Sequence, residues 1–150
     1  MKFIKYFFFI IMFITLNTNL AISDDKIAFI KNVLEQKILR LKQLKLKNNF
    51  NENIKKFYYN FDENNFKNGR LHLSALKLNG SILASHWGIV YKNIFYYLLP
   101  SIEKNDLMKF SPGRILLYNL VKWSSNNNIK KFDLTIGDEA YKKEWTNSKI

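Results

Sequence analysis

Ile27, Ile30, Leu34, Ile38, Leu41 and Leu44 recur at steps of three and four residues, which predicts one amphipathic helix over residues 25–47 with a lysine-rich outer face. The polar run 48–51 breaks it. Ile54, Phe57, Tyr58 and Phe61 mark a second, shorter helix that ends before Gly69. The pattern then changes. Residues 70–78 read as a strand, Asn79-Gly80 is a strong hairpin signal, residues 81–91 run back, and Lys92-Asn93 turns the chain again into a strand over 94–99 that ends at Pro100. Residues 101–109 are polar and read as a loop.

Pro112-Gly113 opens a helix through about Ser125, with Ser111 as its expected N-cap and Pro112 at its first position. The asparagines at 126–128 end it. Residues 131–136 read as a strand, and a last helix runs over 138–145 with Asp138 as a candidate cap. The order is helix, helix, three meander strands, helix, strand, helix. The helix before the last strand is a crossover, so that strand should run parallel to its predecessor. The fold class is α+β, a mixed layer with four expected strands and flanking helices.

The first residues have a different character. Lys2 and Lys5 precede an uncharged apolar run at 6–16, and Ala21-Ile22-Ser23 supplies small residues at spacing a signal peptidase accepts. Residues 1–23 therefore read as a signal peptide. The other readings of the run are a buried strand or an uncleaved anchor that touches a membrane through residues 3–16. It is short for a membrane span of about 20 residues. The remainder, 24–150, is a single domain.

The formal net charge of +12 raises nucleic acid as a partner. Only Arg40, Arg70 and Arg114 among the 24 basic residues are arginines, and the lysines are scattered. Lys, Asn, Ile, Phe and Tyr share A/T-rich codons, so a biased genome accounts for this composition and no specific nucleic-acid partner is expected. There are no cysteines, which removes disulfides, thiolate metal sites and cysteine nucleophiles. No metal-ligand spacing, nucleophile elbow or phosphate-binding glycine loop is present.

Candidate chemistry gathers at two strand-to-helix junctions. Ser111, Gly113 and the following amides present the positive end of a helix to an anion, with Arg114 beside them. The same residues also make an ordinary helix start. The second junction is Gly137-Asp138-Glu139, followed by Tyr141 and Lys142. Glu139 is either a first-turn acid or a proton acceptor. Tyr141 either packs or donates a proton to a leaving thiolate, and Lys142 either meets a phosphate or sits in water. His86 is central on the meander, where a histidine of near-neutral pKa would suit general-base work. A strand histidine is also commonly a buried hydrogen-bonding residue.

Four segments in order, Ala84-Ser85-His86-Trp87-Gly88, Phe95-Tyr96-Tyr97-Leu98-Leu99-Pro100, Phe110-Ser111-Pro112-Gly113-Arg114 and Thr135-Ile136-Gly137-Asp138-Glu139-Ala140-Tyr141-Lys142, resemble GNAT-superfamily acyltransferases. The nearest likeness is to the CelD/BcsL type associated with cellulose and polysaccharide synthesis. The resemblance implies a sheet that splays after the meander, with pantetheine along the main chain near Tyr97, Leu98 and Leu99. It places the pyrophosphate near Ser111, Gly113, Arg114 and Lys142. The co-substrate would be acetyl-CoA or another acyl-CoA, without a metal. The acyl group would pass directly to an amine or hydroxyl of a small molecule or saccharide. His86, Glu139 and Tyr141 are the catalytic candidates.

The pattern also departs from the family. No strand is expected before the first helix and none after the last, so the sheet is expected to be incomplete at both ends, marginally stable, or completed by a partner chain. An active acyltransferase belongs in the cytoplasm with its donor. The alternative is an exported or anchored, non-catalytic basic domain that binds anionic surfaces, or a degenerate fragment.

Overall fold

The computed structural model describes residues 11–16, 24–61, 69–137 and 139–146. Five strands form one sheet in the order β1 (Ile11–Leu16), β2 (Gly69–Leu78), β3 (Ser81–Tyr91), β4 (Ile94–Ile102) and β5 (Lys131–Asp133). The first four are antiparallel to their neighbours, and β5 is parallel to β4, as the crossover requires. The helices are α1 (Asp24–Gln43), α2 (Glu52–Tyr59), α3 (Pro112–Asn126) and α4 (Ala140–Trp145).

The expected four-stranded sheet is thus corrected to five. Ile11–Leu16, part of the run read as a signal-peptide core, pairs along β2 from Leu78 to Leu73 and supplies the strand thought to be missing. Residues 1–10 and 17–23, the rest of that run and its cleavage-like site, lie outside the described residues.

Both hairpins turn on two residues with positive φ. These are Asn79 and Gly80 (49° and 82°), and Lys92 and Asn93 (47° and 60°). The carbonyl of Asn93 also accepts from the amides of Lys130 and Lys131, which fixes where β5 meets β4.

The sheet buries both faces. On one side Ile30, Val33 and Leu34 of α1 pack on Leu71 and Leu73 of β2 and Trp87 of β3. Ser101 Oγ donates to the Val33 carbonyl at 2.7 Å, and Ser85 Oγ donates to Gln36 Oε1 at 3.2 Å, so two strands are tied to this helix. Asn51 caps α2 by accepting from the Ile54 amide. No residue of α2 is itself buried. Tyr58 and Phe61 anchor it by meeting Trp87 edge-on at 4.9 and 5.3 Å, contacts worth about 0.5–1.5 kcal/mol each. On the other side Leu116, Leu117 and Leu120 of α3 cover Phe95 and Tyr97 of β4 and Leu76 of β2.

Several element boundaries differ from expectation, and α4 starts at Ala140, with Glu139 at the N-cap position, instead of at residue 138. The first helix stops at Gln43, short of residue 47. The third meander strand continues through Pro100 to Ile102, and a 3-10 turn at Asp106–Phe110 occupies what read as loop. The last strand ends at Asp133, because Thr135 takes φ 59°, outside strand geometry.

Candidate functional site

One residue of β3 faces two of β4. Trp87 pairs with Leu99, but Ile89 pairs with Tyr96, so Gly88 stands opposite both Tyr97 and Leu98. This is a β-bulge on β4. It reverses the alternation of side chains: Phe95 and Tyr97 face α3, while Leu99 faces α1. A side chain at Gly88 has no room, since a Cβ there would lie 2.6 Å from the Tyr96 carbonyl oxygen and 2.3 Å from His86 Cε1.

β4 and β5 part where the bulge begins. Their ladder covers Ile94–Lys131, Phe95–Phe132 and Tyr96–Asp133 and goes no further. At the fork, Thr135 Oγ1 donates to the Tyr97 carbonyl at 3.1 Å, and the Thr135 amide donates to Asp133 Oδ1 at 2.8 Å. A side chain has replaced the backbone ladder there. Leu98 is 41% exposed and Ile136 96% exposed. The fork is therefore an open slot between strand ends with apolar side chains at its mouth.

Two helix starts stand at this fork. The Ser111 carbonyl accepts from the amides of Arg114 and Ile115, and at the tip of α3 Pro112 is buried while Gly113 is half-buried. Ser111 is not the side-chain cap expected of it. It sits at φ 53°, ψ 56° and makes no side-chain cap bond, because the preceding 3-10 turn delivers the chain in left-handed geometry. Gly113 lies against Ile102, whose Cδ1 would be 2.6 Å from an added Cβ. Arg114 is ion-paired to Glu144, which ties the start of α3 to α4.

Lys142 corrects the expectation of a solvated amine. It is buried, and its Nζ donates to the Ile136 carbonyl at 2.8 Å and pairs with Glu139 Oε2 at 2.8 Å. It holds the loop 136–139 closed on α4. Gly137, at φ 124°, lets the loop pass, since a Cβ there would meet Glu139 Oε2 and Lys142 Nζ. Asp138 lies outside the described residues.

The electrostatics follow from this packing. Partial desolvation pushes the Glu139 carboxyl up, but the hydrogen bond and charge of Lys142, with Lys37 adding to them, outweigh it and hold the group below the ordinary range. Desolvation, reinforced by Glu139, raises the Tyr141 phenol. Burial raises Tyr97, and Tyr141 adds to the effect. Burial lowers the Lys37 amine, partly offset by Glu139. These mutual effects place Tyr97, Tyr141, Glu139, Lys142 and Lys37 together. Lys37 was missed in the sequence because it sits among the ordinary lysines of a helix flank.

His86 is not the accessible base that its sequence position suggested. It is fully enclosed, its ring lies flat against Tyr97 at 4.6 Å, and neither ring nitrogen has a hydrogen-bond partner. Burial drives its pKa well below the usual value, and the neighbouring His72 pushes the same way. Tyr97 lies between it and the fork. Thus Glu139, Tyr141, Lys142 and Tyr97 come together with Leu98 at the fork, Ser111, Gly113 and Arg114 gather at the α3 tip, Leu99 turns into the α1 core, and His86 stands beneath.

Among the described residues no group of three or more His, Cys, Asp or Glu is placed to hold a metal, and no helix is long and apolar enough to cross a membrane. In a comparison with curated proteins, none matches this chain. A putative GNAT-family acetyltransferase from Staphylococcus aureus subsp. aureus has a similar fold, with a TM-score of 0.57 over 82% of this chain and 98% of that one at 18% identity. A family model described as an acetyltransferase (GNAT) domain matches residues 22–143, from before the first helix to the Lys142 anchor. With the bulged β4, the forked parallel pair and that match over most of its length, the chain belongs to the GNAT acetyltransferase domain family.

Proposed function

We propose that this protein transfers an acyl group from acetyl-CoA or a related acyl-CoA directly to an amine or hydroxyl. GNAT domains use acetyl-CoA as co-substrate. The observation that carries the reading to this chain is the fork itself: the ladder with β5 ends at Tyr96, Thr135 caps the Tyr97 carbonyl, and the β4 main chain beyond that cap is where an extended pantetheine arm would pair. The α3 tip at Gly113 suits the pyrophosphate, since the positive end of the helix dipole there favours negative charge.

The Glu139 carboxylate stays ionised and takes the proton from the attacking amine or hydroxyl. The acceptor atom bonds to the thioester carbon, and the carbon–sulfur bond breaks from the tetrahedral intermediate. The sulfur leaves with its electron pair and a hydrogen bond from Tyr141, a phenol held protonated by its surroundings. Lys142 keeps Glu139 and the loop in position. His86 takes no part in proton transfer and supports the Tyr97 ring from below.

The likeness of the four sequence segments to the CelD/BcsL type favours a saccharide or other cell-envelope precursor as acceptor. Use of acyl-CoA favours a cytoplasmic site of action. The test is calorimetry with acetyl-CoA and free CoA, followed by thiol release with amine and amino-sugar acceptors. Micromolar binding of both nucleotides and acceptor-dependent thiol release are expected. No binding at millimolar ligand by folded protein overturns the proposal.

A further inference from the structure

The stretch from Leu39 to Phe57 joins the end of α1 to α2, two helices that touch. It combines features that a merely solvated surface does not need. Leu39 (57%), Leu44 (48%), Leu46 (56%) and Phe57 (56%) are all largely exposed, and Ile54 stands at the same border. Leu44 continues the buried stripe of α1 in sequence, yet the helix has ended at Gln43 and leaves it outside. Arg40, Lys42, Lys45, Lys47 and Lys56 are exposed around these side chains. The single acid of the stretch, Glu52, is ion-paired to Lys55 at 2.7 Å. Six cations against one acid give this segment a net charge of +5.

We propose that this segment docks the protein on an anionic lipid surface. Lysines around exposed aliphatic and aromatic side chains match the boundary between charged headgroups and acyl chains. A polyanion such as nucleic acid would satisfy the lysines but leave the leucines and Phe57 uncovered. The apolar side chains also have a firm base. Phe57 meets Tyr58 and Phe61 edge-on at 5.5 and 5.8 Å, and those two rings rest on Trp87 of the sheet. The inference does not depend on acyl transfer.

The experiment is co-sedimentation of the full chain with vesicles of phosphatidylcholine alone and of phosphatidylcholine mixed with phosphatidylglycerol. Binding to the mixed vesicles is expected, weakening as salt rises and falling to little on phosphatidylcholine alone. Lys45→Glu/Lys47→Glu and, separately, Leu44→Ser/Leu46→Ser should each lower binding about tenfold. Phe57→Ser alone should show the same direction. The lysines and leucines are exposed, so melting of the two double variants followed by circular dichroism should be unchanged, while Phe57→Ser should melt somewhat lower but remain folded at the assay temperature, which separates lost docking from lost fold. No preference for the anionic vesicles overturns the proposal. So does unchanged binding by all three variants, which would move the contact elsewhere, for example to residues 3–16. Loss with the charge variant alone, accompanied by equally tight binding of duplex DNA, would also reject it in favour of a simple polyanion site.

Discussion

His86 lies flat beneath Tyr97, with ring centroids 4.6 Å apart and planes 7° from parallel. Gly88, two residues along the same strand, makes the stack possible, because its missing side chain leaves the space the imidazole fills. The Tyr96 carbonyl closes that space from β4. A main-chain oxygen in a paired strand cannot retreat as a side chain can. Gly88→Ala should therefore cost about 1–3 kcal/mol, the range for forcing an extra carbon into a packed interior. His86→Leu should cost less, since it removes two buried nitrogens that have no partner and offsets the lost stacking. Urea denaturation of the two variants checks the order. A Gly88→Ala protein as stable as the parent would show that the bulge is not fixed as described.

The two buried histidines make stability depend on pH. Burial, with the charge of Arg70 adding to it, pushes His72 from the usual 6.5 down to about 4. His86 is lowered for the same first reason. Both groups bind protons more weakly in the folded chain than in the unfolded chain. Their contribution is therefore complete above about pH 6.5 and declines as pH falls from there toward about 4. For His72 alone a shift of that size corresponds to about 3 kcal/mol. Unfolding free energy measured between pH 7 and pH 4 should fall steeply, and His72→Leu should flatten the slope. A parent profile that is level over this interval would contradict the buried, neutral state of the pair.

The contrast between these histidines and the rest of the site shows what the sequence made legible. The turn signals Asn79-Gly80 and Lys92-Asn93 located the meander, and Pro112-Gly113 with the asparagines at 126–128 located α3 and so the crossover and the parallel β4–β5 pair, because turns and helix ends depend on local residues alone. The bulge was not legible. It is a one-residue offset between two strands, and only pairing in space decides that Gly88 faces both Tyr97 and Leu98. The same offset sends Leu99 to the other face and closes His86 in. The end of β5 was hidden for another reason. Ile136 continues an apolar run, yet Thr135 turns left-handed to cap the Tyr97 carbonyl and throws Ile136 outward. Ile11–Leu16 pairs with β2, which the sequence left open because an uncharged run after two lysines satisfies an edge strand and a signal peptide equally well.

Gly113 tests the anion site at the tip of α3. Its Cα faces Ile102, a flexible side chain, so a small substituent is tolerated while the charge it carries matters. Gly113→Ala should bind CoA within about threefold of the parent, and Gly113→Asp about tenfold or more weaker, because a carboxylate competes with phosphate for the same dipoles. Affinities for dephosphorylated pantetheine should change little in either variant. Equal CoA affinity in all three proteins would place the pyrophosphate elsewhere.

Glu139 and Tyr141 are expected to separate kinetically. Glu139→Gln keeps an oxygen near Lys142 but cannot take a proton, so kcat should fall by about 10² to 10⁴ with a smaller change in KM. Because Lys142 holds the carboxyl below its ordinary range, the parent's rate should persist to lower pH than an ordinary glutamate would allow, and the variant should lose that acid limb. Tyr141→Phe should leave the acid limb in place and slow release of the thiolate. Steady-state rates against pH for the three proteins check the assignment. An unchanged acid limb in Glu139→Gln would remove it as the base.

Lys142 decides whether the loop before α4 is held in place before any ligand binds. Its buried Nζ satisfies the Ile136 carbonyl and the Glu139 carboxylate together, both at 2.8 Å. Lys142→Met fills a similar volume but donates nothing, leaving the carbonyl and the carboxylate without their shared partner. The cost to stability should be about 1–3 kcal/mol, mostly from the uncompensated polar groups. Lys142→Arg should recover part of the stability, but a planar guanidinium does not reproduce the two directions of the ammonium, so turnover should remain low. The loss in Lys142→Met should appear in kcat more than in CoA affinity, because the anchor positions Glu139 while the site proposed for the pyrophosphate is at α3. Calorimetry with CoA beside steady-state kinetics separates the two. A variant whose CoA affinity collapses while kcat is retained would show that Lys142 meets the cofactor's phosphates, and that its contacts with Ile136 and Glu139 belong only to the ligand-free chain.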